Sequence, residues 1–429
     1  MTSMQISGMK RMLLAGLVLA VLPSPAQDSL SLTECHRLAL NNAPRAGDAH
    51  LIRDMGQLKI ENTGVEWLPS IHLNGRVSYQ SDVVNLVLED TPIPVSFPEV
   101  PRDQYGLNLD ISQTLYDGGI TARKKAFERV STAAEMQQVE VDLHGIKERV
   151  NPLYFSILIL QENLENLELH RENLRRRREV ILSAIEGGMA LEADLKTIDV
   201  EMLKIRQSII EVDAHRGAII QTLGLLCGEE LSVRTVLSMP ELRMLDIPEV
   251  TRPEHLLFDL KEATLEAGKE LAGRKRMPVL YAFGQTGYGK PGYNMLNNEW
   301  DFYYMVGAGI RWNIWDWNSS SRERQLIGYQ NQMLQNRRAA FDLEVMSALA
   351  QEESRIQQYR ETLELEREVL ELQQELTALA ATRLSSGTIT ATDYITELNR
   401  EMMARIRVTT HRIRMMQSIA GYLTILGKL

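Results

Sequence analysis

The chain is written twice, and the distance between the copies changes once. Pro44 and Pro69 return as Pro253 and Pro278, both 209 residues on, while Asp117, Gly188 and Asp194 return as Asp316, Gly387 and Asp393, all 199 residues on. Ten residues are therefore lost between the two sets of matches, as happens in a surface loop. Because the offset holds at 199 from Asp117 to Asp194, that stretch admits no insertion, which is how a continuous helix behaves. A duplicated supersecondary unit is the expected architecture.

Within each copy the hydrophobic period switches from helix to strand and back. Leu32 to Trp67 reads as helical and stops at Leu68-Pro69, where proline ends a helix and pushes its predecessor toward extended geometry. The period then becomes two: Ile71, Leu73, Val77 and Tyr79 alternate with His72, Asn74, Arg76, Ser78 and Gln80. Tyr105, Leu107, Leu109 and Ile111 alternate with Gly106, Asn108, Asp110 and Ser112. In the second copy Tyr304, Val306, Ala308, Ile310 and Trp312 form the apolar row, and a strand starting near Val279 alternates less clearly. Strands of roughly 10 to 13 residues with one greasy and one wet face suit a tilted transmembrane β-strand, although a soluble sandwich alternates too.

After the strands, the stretches Asp117 to Gly188 and Asp316 to Gly387 each run some 70 residues, interrupted by proline only at Pro152. At about 1.5 Å per residue that is a rod of about 100 Å. Leu365, Val369, Leu372, Leu376 and Leu379 step by four and three, a coiled-coil seam. Leu160, Leu164 and Leu167 begin the same stepping in the first copy, where Arg171 and Arg178 then interrupt it. Rods of this kind pack on one another. Four membrane strands close no barrel, and an open sheet edge in lipid is very costly, so the chain is expected to oligomerise. A cyclic trimer would supply twelve strands, enough for an open lumen.

The first residues point to export. Lys10 and Arg11 precede an apolar run from Met12 to Leu22, followed by Pro23 and Ser24-Pro25-Ala26. That is the layout of a signal peptide over residues 1–26, and the run is shorter than a spanning helix needs. Met9 is an alternative start. Cys35 follows Leu32-Thr33-Glu34 rather than small apolar residues, so no lipid anchor is expected there. Whether Cys35 and Cys227, the two cysteines of the chain, pair is open at this stage.

With 24% charged residues, 44% hydrophobic residues and a net charge of -10, disorder and a nucleic-acid partner are both disfavoured. The eight histidines form no His-Glu-x-x-His pattern and the cysteines no Cys-x-x-Cys, so no metal site is expected. Gly284-Gln285-Thr286-Gly287-Tyr288-Gly289 has the look of a nucleotide loop but lies on an expected strand with no helix after it. The run Arg175 to Arg178, flanked by Glu172 and Glu179, reads as a solvated helix face. Tyr79, Tyr105, Tyr281, Tyr288, Trp300, Tyr303, Tyr304, Trp312 and Trp315 gather on or beside the strands, where aromatic rings suit the headgroup level of a bilayer.

Two short motifs carry a family resemblance. Gln113-Thr114-Leu115-Tyr116-Asp117-Gly118-Gly119, followed by Ala122-Arg123 at the head of a long helix, resembles the strand-to-helix signature of TolC-like outer-membrane factors. Asp316 is its repeat mate. Arg383-Leu384-Ser385-Ser386-Gly387-Thr388, followed by Asp393, resembles the helical-hairpin tip of the same family, and the resemblance runs from about Leu30 to Gly427.

It implies an α+β membrane protein: a homotrimeric channel-tunnel with a 12-stranded β-barrel in outer-membrane lipid, continued into the periplasm by a long α-helical barrel. It also implies a passive exit duct of a tripartite efflux or type I secretion system, docked to a periplasmic adaptor and an inner-membrane pump, with no catalytic residue and no cofactor. The corresponding units are repeat 1 (27–226), an equatorial linker (227–252) and repeat 2 (253–429). The adaptor-contact tips map onto Gly188, Met189 and Ala190 and onto Gly387, Thr388 and Ile389. The acidic tunnel entrance maps onto Asp393, with Asp194 its repeat mate. The family's second acidic position falls on Thr396, next to Glu397. Helix capping is the alternative role for both aspartates. An exported coiled-coil scaffold or adhesin with a small soluble β-domain is the alternative for the chain.

Overall fold

A computed structural model describes residues 29–83, 100–188, 190–245, 249–295 and 298–429. The expected signal peptide, Met189 and most of the loop after the first strand lie outside these residues. In chain order the elements are α1 (Leu32–Asn42), a 3-10 turn (Pro44–Gly47), α2 (Asp48–Val65), β1 (Ser70–Tyr79), β2 (Asp103–Tyr116), α3 (Ile120–Glu186) and α4 (Glu192–Cys227). The second half follows with α5 (Pro253–Arg274), β3 (Val279–Lys290), β4 (Asp301–Arg311), α6 (Ser319–Ser385) and α7 (Ala391–Leu426). The duplication is literal: α3 and α6 are each 67 residues long, and α4 and α7 are each 36. α4 and α7 end on Gly228 and Gly427, both at positive φ, the left-handed stop that glycine adopts without penalty.

The four strands form one antiparallel sheet in the order β1-β2-β3-β4. The pairing β2–β3 joins the two copies, with Leu109 opposite Thr286 and Ile111 opposite Gly284. Register sets the expected apolar rows side by side: Ile71 faces Ile111 and Leu73 faces Leu109 in β1–β2, while Leu280 faces Ile310 and Tyr288 faces Phe302 in β3–β4. Nothing among the described residues covers this face. Val77 and Val306 are 78% and 77% exposed.

On the opposite face Asn74, Asn108 and Gln285 all donate to the Asp110 carboxylate, at 2.5, 2.7 and 2.6 Å. The same face carries Tyr281, Phe283 and Tyr303, whose rings lie over Gly309, Gly307 and Gly287 of the neighbouring strand. This corrects the expectation for Tyr281 and Tyr303. Alternation sends them to the wet face, where the glycines leave space for their rings.

The buried core lies mainly in the helices, with Leu237 of the segment between α4 and α5 joining it. α3 pairs with α4 and α6 with α7, α3 also packs on α2, α5 and α7, and α5 bridges α3 and α6. One cluster joins α1, α3, α4 and α7 around Tyr154, Phe155, Ile157, Ile220, Leu223 and Ile413. Each such fully buried side chain contributes about 1.5–3 kcal/mol. A buried polar chain threads the same region: His36 Nε2 meets Asn151 Oδ1 at 2.7 Å, and Asn151 Nδ2 donates to Thr424 Oγ1 at 2.9 Å. A second cluster, including Leu174, Ile181, Ile198, Tyr394 and Leu398, holds the far ends of both hairpins together.

Three helical expectations change. Leu32 to Trp67 is not one helix: Ala43 is extended before Pro44, which splits it into α1, the 3-10 turn and α2. Arg171 and Arg178 do not end the seam of α3: they take alternate positions along it, while Leu167, Leu174 and Ile181, spaced by seven in the same stripe, are all buried. The α6 seam of Leu365, Val369, Leu372, Leu376 and Leu379 does not pack inside the chain. Leu365 is 65% exposed and Leu372 61%, while Ile356, Leu363 and Thr377 make the buried face against α7. α6 thus carries two heptad stripes, one turned inward and one outward.

Candidate functional site: strand-to-helix turns and hairpin tips

At the first turn Asp117 is nearly buried, and its carboxylate accepts the N–H groups of Gly119 at 2.8 Å and Thr121 at 2.7 Å, capping α3. Burial alone would raise the Asp117 carboxyl, but the bonds from Thr121 and Gly119 hold it below its ordinary value. Gly118 and Gly119 sit at φ +69° and +82°, and a Cβ on Gly118 would lie 2.2 Å from that of Met277. Tyr116, the residue before the turn, is an exposed aromatic at the end of β2. At the second turn Asp316 likewise accepts from Ser320 N–H at 3.0 Å. Trp317 and Asn318 occupy the two glycine positions there, at φ 53° and 59°. Neither residue carries a motif of its own; the offset of 199 from Gly118 and Gly119 is the signal that finds them.

The aromatics at the two ends of the sheet form separate groups. Trp67, Tyr116, Trp312, Trp315 and Trp317 stand at the helix end, and Tyr79, Tyr105, Tyr288 and Trp300 at the other, with Trp300 stacked on Tyr105 at 5.8 Å and on Tyr288 at 5.3 Å. The eleven residues from Phe302 to Trp312 span about 33 Å along the strand, or about 25 Å across a bilayer once tilted by about 40°.

The far ends of the hairpins are built from glycine turns. Gly188 and Gly387 take φ +71° and +68° with nothing within 4 Å of a would-be Cβ, so the demand for glycine there is one of backbone torsion. In the second tip Thr388 N–H returns to Arg383 O at 3.0 Å and Thr388 Oγ1 donates to the same oxygen at 2.9 Å.

The returning helices are capped differently. Thr390 and Asp393 form a reciprocal capping box, with Asp393 N–H donating to Thr390 Oγ1 at 3.3 Å and Thr390 N–H to the Asp393 carboxylate at 3.0 Å. The two bonds that Thr390 donates to the carboxylate, from its N–H first and from its hydroxyl at 2.8 Å second, hold the Asp393 carboxyl below its ordinary value. In the first tip Leu191 has no side-chain acceptor to return the bond. Asp194 instead turns one oxygen to Ala391 N–H of the other hairpin, at 3.1 Å. Both aspartates are therefore helix caps, and Asp194 also ties the two tips together.

Ala190, Asp194, Gly387, Thr388, Ile389 and Asp393 border one cleft of about 610 Å³ between the tips, with Arg177 and Ile181 behind it. Gly188 lies outside that lining. The arginine run is only partly a solvated face: Arg175 and Arg176 pair with Glu172, but Arg178 reaches Asp199 of α4 at 2.6 Å and Arg177 lies over the Tyr394 ring at 4.8 Å. Thr396 bonds back to its own helix at Thr392 O, and Glu397 is engaged by Gln373 and Arg400.

This arrangement, a four-stranded antiparallel sheet continued by two long helical hairpins from a duplicated chain, is the fold of TolC-like outer-membrane channels. A crystal structure of CusC, solved to follow its folding and transmembrane channel formation, superposes with a TM-score of 0.72 at 13% identity over 93% of this chain and 92% of that one. The outer membrane protein VceC from Vibrio cholerae gives 0.68 at 12% identity over 92% and 96%. The Campylobacter jejuni CmeC outer membrane channel gives 0.68 at 14% identity over 92% and 85%. No protein-family model matches the chain, and no curated protein does.

Proposed function

We propose that the chain is the outer-membrane channel-tunnel of a tripartite efflux or type I secretion system, a passive duct without catalytic residues. One observation carries the reading: a sheet with an uncovered apolar face and two free edges runs directly into helical rods about 100 Å long. In water such a face and such edges aggregate, whereas in lipid the face is satisfied and the edges close against further copies. Three copies make a barrel of twelve strands, which seats the protein in the outer membrane with the helices in the periplasm. The outward stripe of α6 then packs between neighbouring copies as the rods close into an α-barrel.

In this assembly residues 27–226 and 253–429 are the two repeats and 227–252 the equatorial linker. The tips at Gly188, Met189, Ala190, Gly387, Thr388 and Ile389 meet the periplasmic adaptor, which joins the duct to an inner-membrane pump. Asp393 and Asp194 stand at the tunnel mouth. The alternative of an exported scaffold with a soluble sheet leaves the face bearing Val77 and Val306 in water and is disfavoured for that reason.

Membrane fractionation and native mass measurement of the detergent-extracted protein test the proposal. A trimer that needs detergent and forms conducting channels in planar bilayers is the expected result. A detergent-independent monomer overturns it.

A further inference from the structure

The chain has two cysteines, 192 positions apart, and folding brings them together. Cys35 lies on the inner face of α1 and Cys227 is the last residue of α4, at 0% and 3% exposure in the same core cluster. The Cys227 thiol donates to the Cys35 carbonyl, with Sγ 3.6 Å from the oxygen. The two helices that carry them are held on both sides of the contact. Beyond Cys35, at the end of α1, the Asn42 side chain donates to Leu225 O and Leu226 O, both at 3.1 Å, and packs against Gly228. Before Cys35, Leu30 pairs with the 236–238 segment and receives the Tyr154 hydroxyl at 2.9 Å.

The other repeat shows what packing alone requires. The positions 209 and 199 residues on are Met244 and Leu426, which belong to one apolar cluster. An apolar pair therefore fills this place in one copy and a thiol pair in the other.

We propose that Cys35 and Cys227 are the two halves of an intramolecular disulfide that ties the start of repeat 1 to its end. The inference rests on the export reading above, since an oxidising compartment is where such a bond persists. Each thiol loses a proton and together they give up two electrons, forming one S–S bond. The acceptor is a protein disulfide of the exporting compartment, which is reduced to a dithiol by exchange through a mixed disulfide. In the folded chain both sulfurs are out of reach of such a partner. The bond therefore forms on the unfolded chain and is sealed when α1 docks on α4.

The test is thiol counting by maleimide mass tagging under denaturing conditions. Reduced, denatured full-length protein is refolded with a reduced and oxidised glutathione pair and tagged with and without prior reductant. The expected result is no tag without reductant, two tags with it, and faster non-reducing migration as a monomer. Cys35→Ser and Cys227→Ser should each abolish the fast band. Two tags without reductant, or bands of crosslinked chains instead of the fast monomer, overturn the pairing. The same count on protein taken from cells separates the two readings. Pairing in the refolded sample with free thiols in a cytoplasmic fraction supports the pairing and defeats export, whereas free thiols in an outer-membrane fraction defeat the pairing.

Discussion

Asp194 is the residue whose removal reports most directly on how the two hairpin tips are held. Its carboxylate is the acceptor for the N–H of Ala391, the first residue of α7, which is 0% exposed and so has no water to fall back on. Asp194→Ala removes a helix-terminal acceptor, worth about 0.5–2 kcal/mol, and a negative charge from the N-terminus of a 36-residue helix, worth about 0.3–1 kcal/mol. The local opening free energy at Ala391 should fall by about 1–2 kcal/mol, which is a roughly 5- to 30-fold faster exchange. Hydrogen–deuterium exchange resolved at the Ala391 amide measures this, with the amides of the α1–α3–α4 core as internal reference. Asp194→Asn, which keeps an oxygen acceptor but not the charge, should fall between the variant and the parent. An Ala391 amide that exchanges at the parental rate in Asp194→Ala would refute the argument that this carboxylate links the hairpins.

Further outcomes follow from the same geometry. Leu365→Glu with Leu372→Glu should leave the helical fold of the chain intact by circular dichroism, because both are exposed in it, but abolish the proposed trimer on native mass measurement. Gly118→Ala meets both a positive φ and the Cβ of Met277 at 2.2 Å, and should lower stability in denaturant titration by about 2–5 kcal/mol, against little change for Gly119→Asn. Burial holds His36, His144 and His170 below the ordinary value of 6.5. The unfolded chain therefore binds more protons, and the contribution of these three groups is present above about 6.5 and lost as pH falls through the region below it. Thermal melts from pH 8 to 5 should show the midpoint falling, and falling less in His170→Gln. Asp393→Ala combined with Asp194→Ala should weaken multivalent-cation block of conductance in planar bilayers. Unchanged block would leave these aspartates only their capping role.

What the sequence displayed well was whatever a covalent spacing controls. The constant offset from Asp117 to Asp194 translates into helices of equal length, and alternation over Ile71 to Tyr79 and Tyr105 to Ile111 into paired strands. The Thr390-x-x-Asp393 capping box is also local, a spacing of three that the sequence displays. Face assignment was less legible. A helix 67 residues long can carry two heptad stripes, and hydrophobicity does not say which one meets α7 and which is left outward. Cross-strand glycines decide where Tyr281 and Tyr303 can lie, and they belong to other strands. The Asp194 to Ala391 bond links residues 197 apart and carries no local signal.

The order of the sheet bears on how such a chain reaches its final state. β1 with β2 and β3 with β4 are neighbours in sequence, but Gln285 and Asp110 meet across 175 residues, with both helices of the first hairpin between them. Closing that gap costs chain entropy that local contacts do not, so the β2–β3 seam belongs late in folding. The two strand pairs would exist first as separate apolar ribbons, each too narrow to be stable alone. Docking of α5 against α3 and α6 is what brings them into register. Assembly of the rods thus precedes and governs completion of the sheet, so the apolar face reaches its full width only once the helical part is in place.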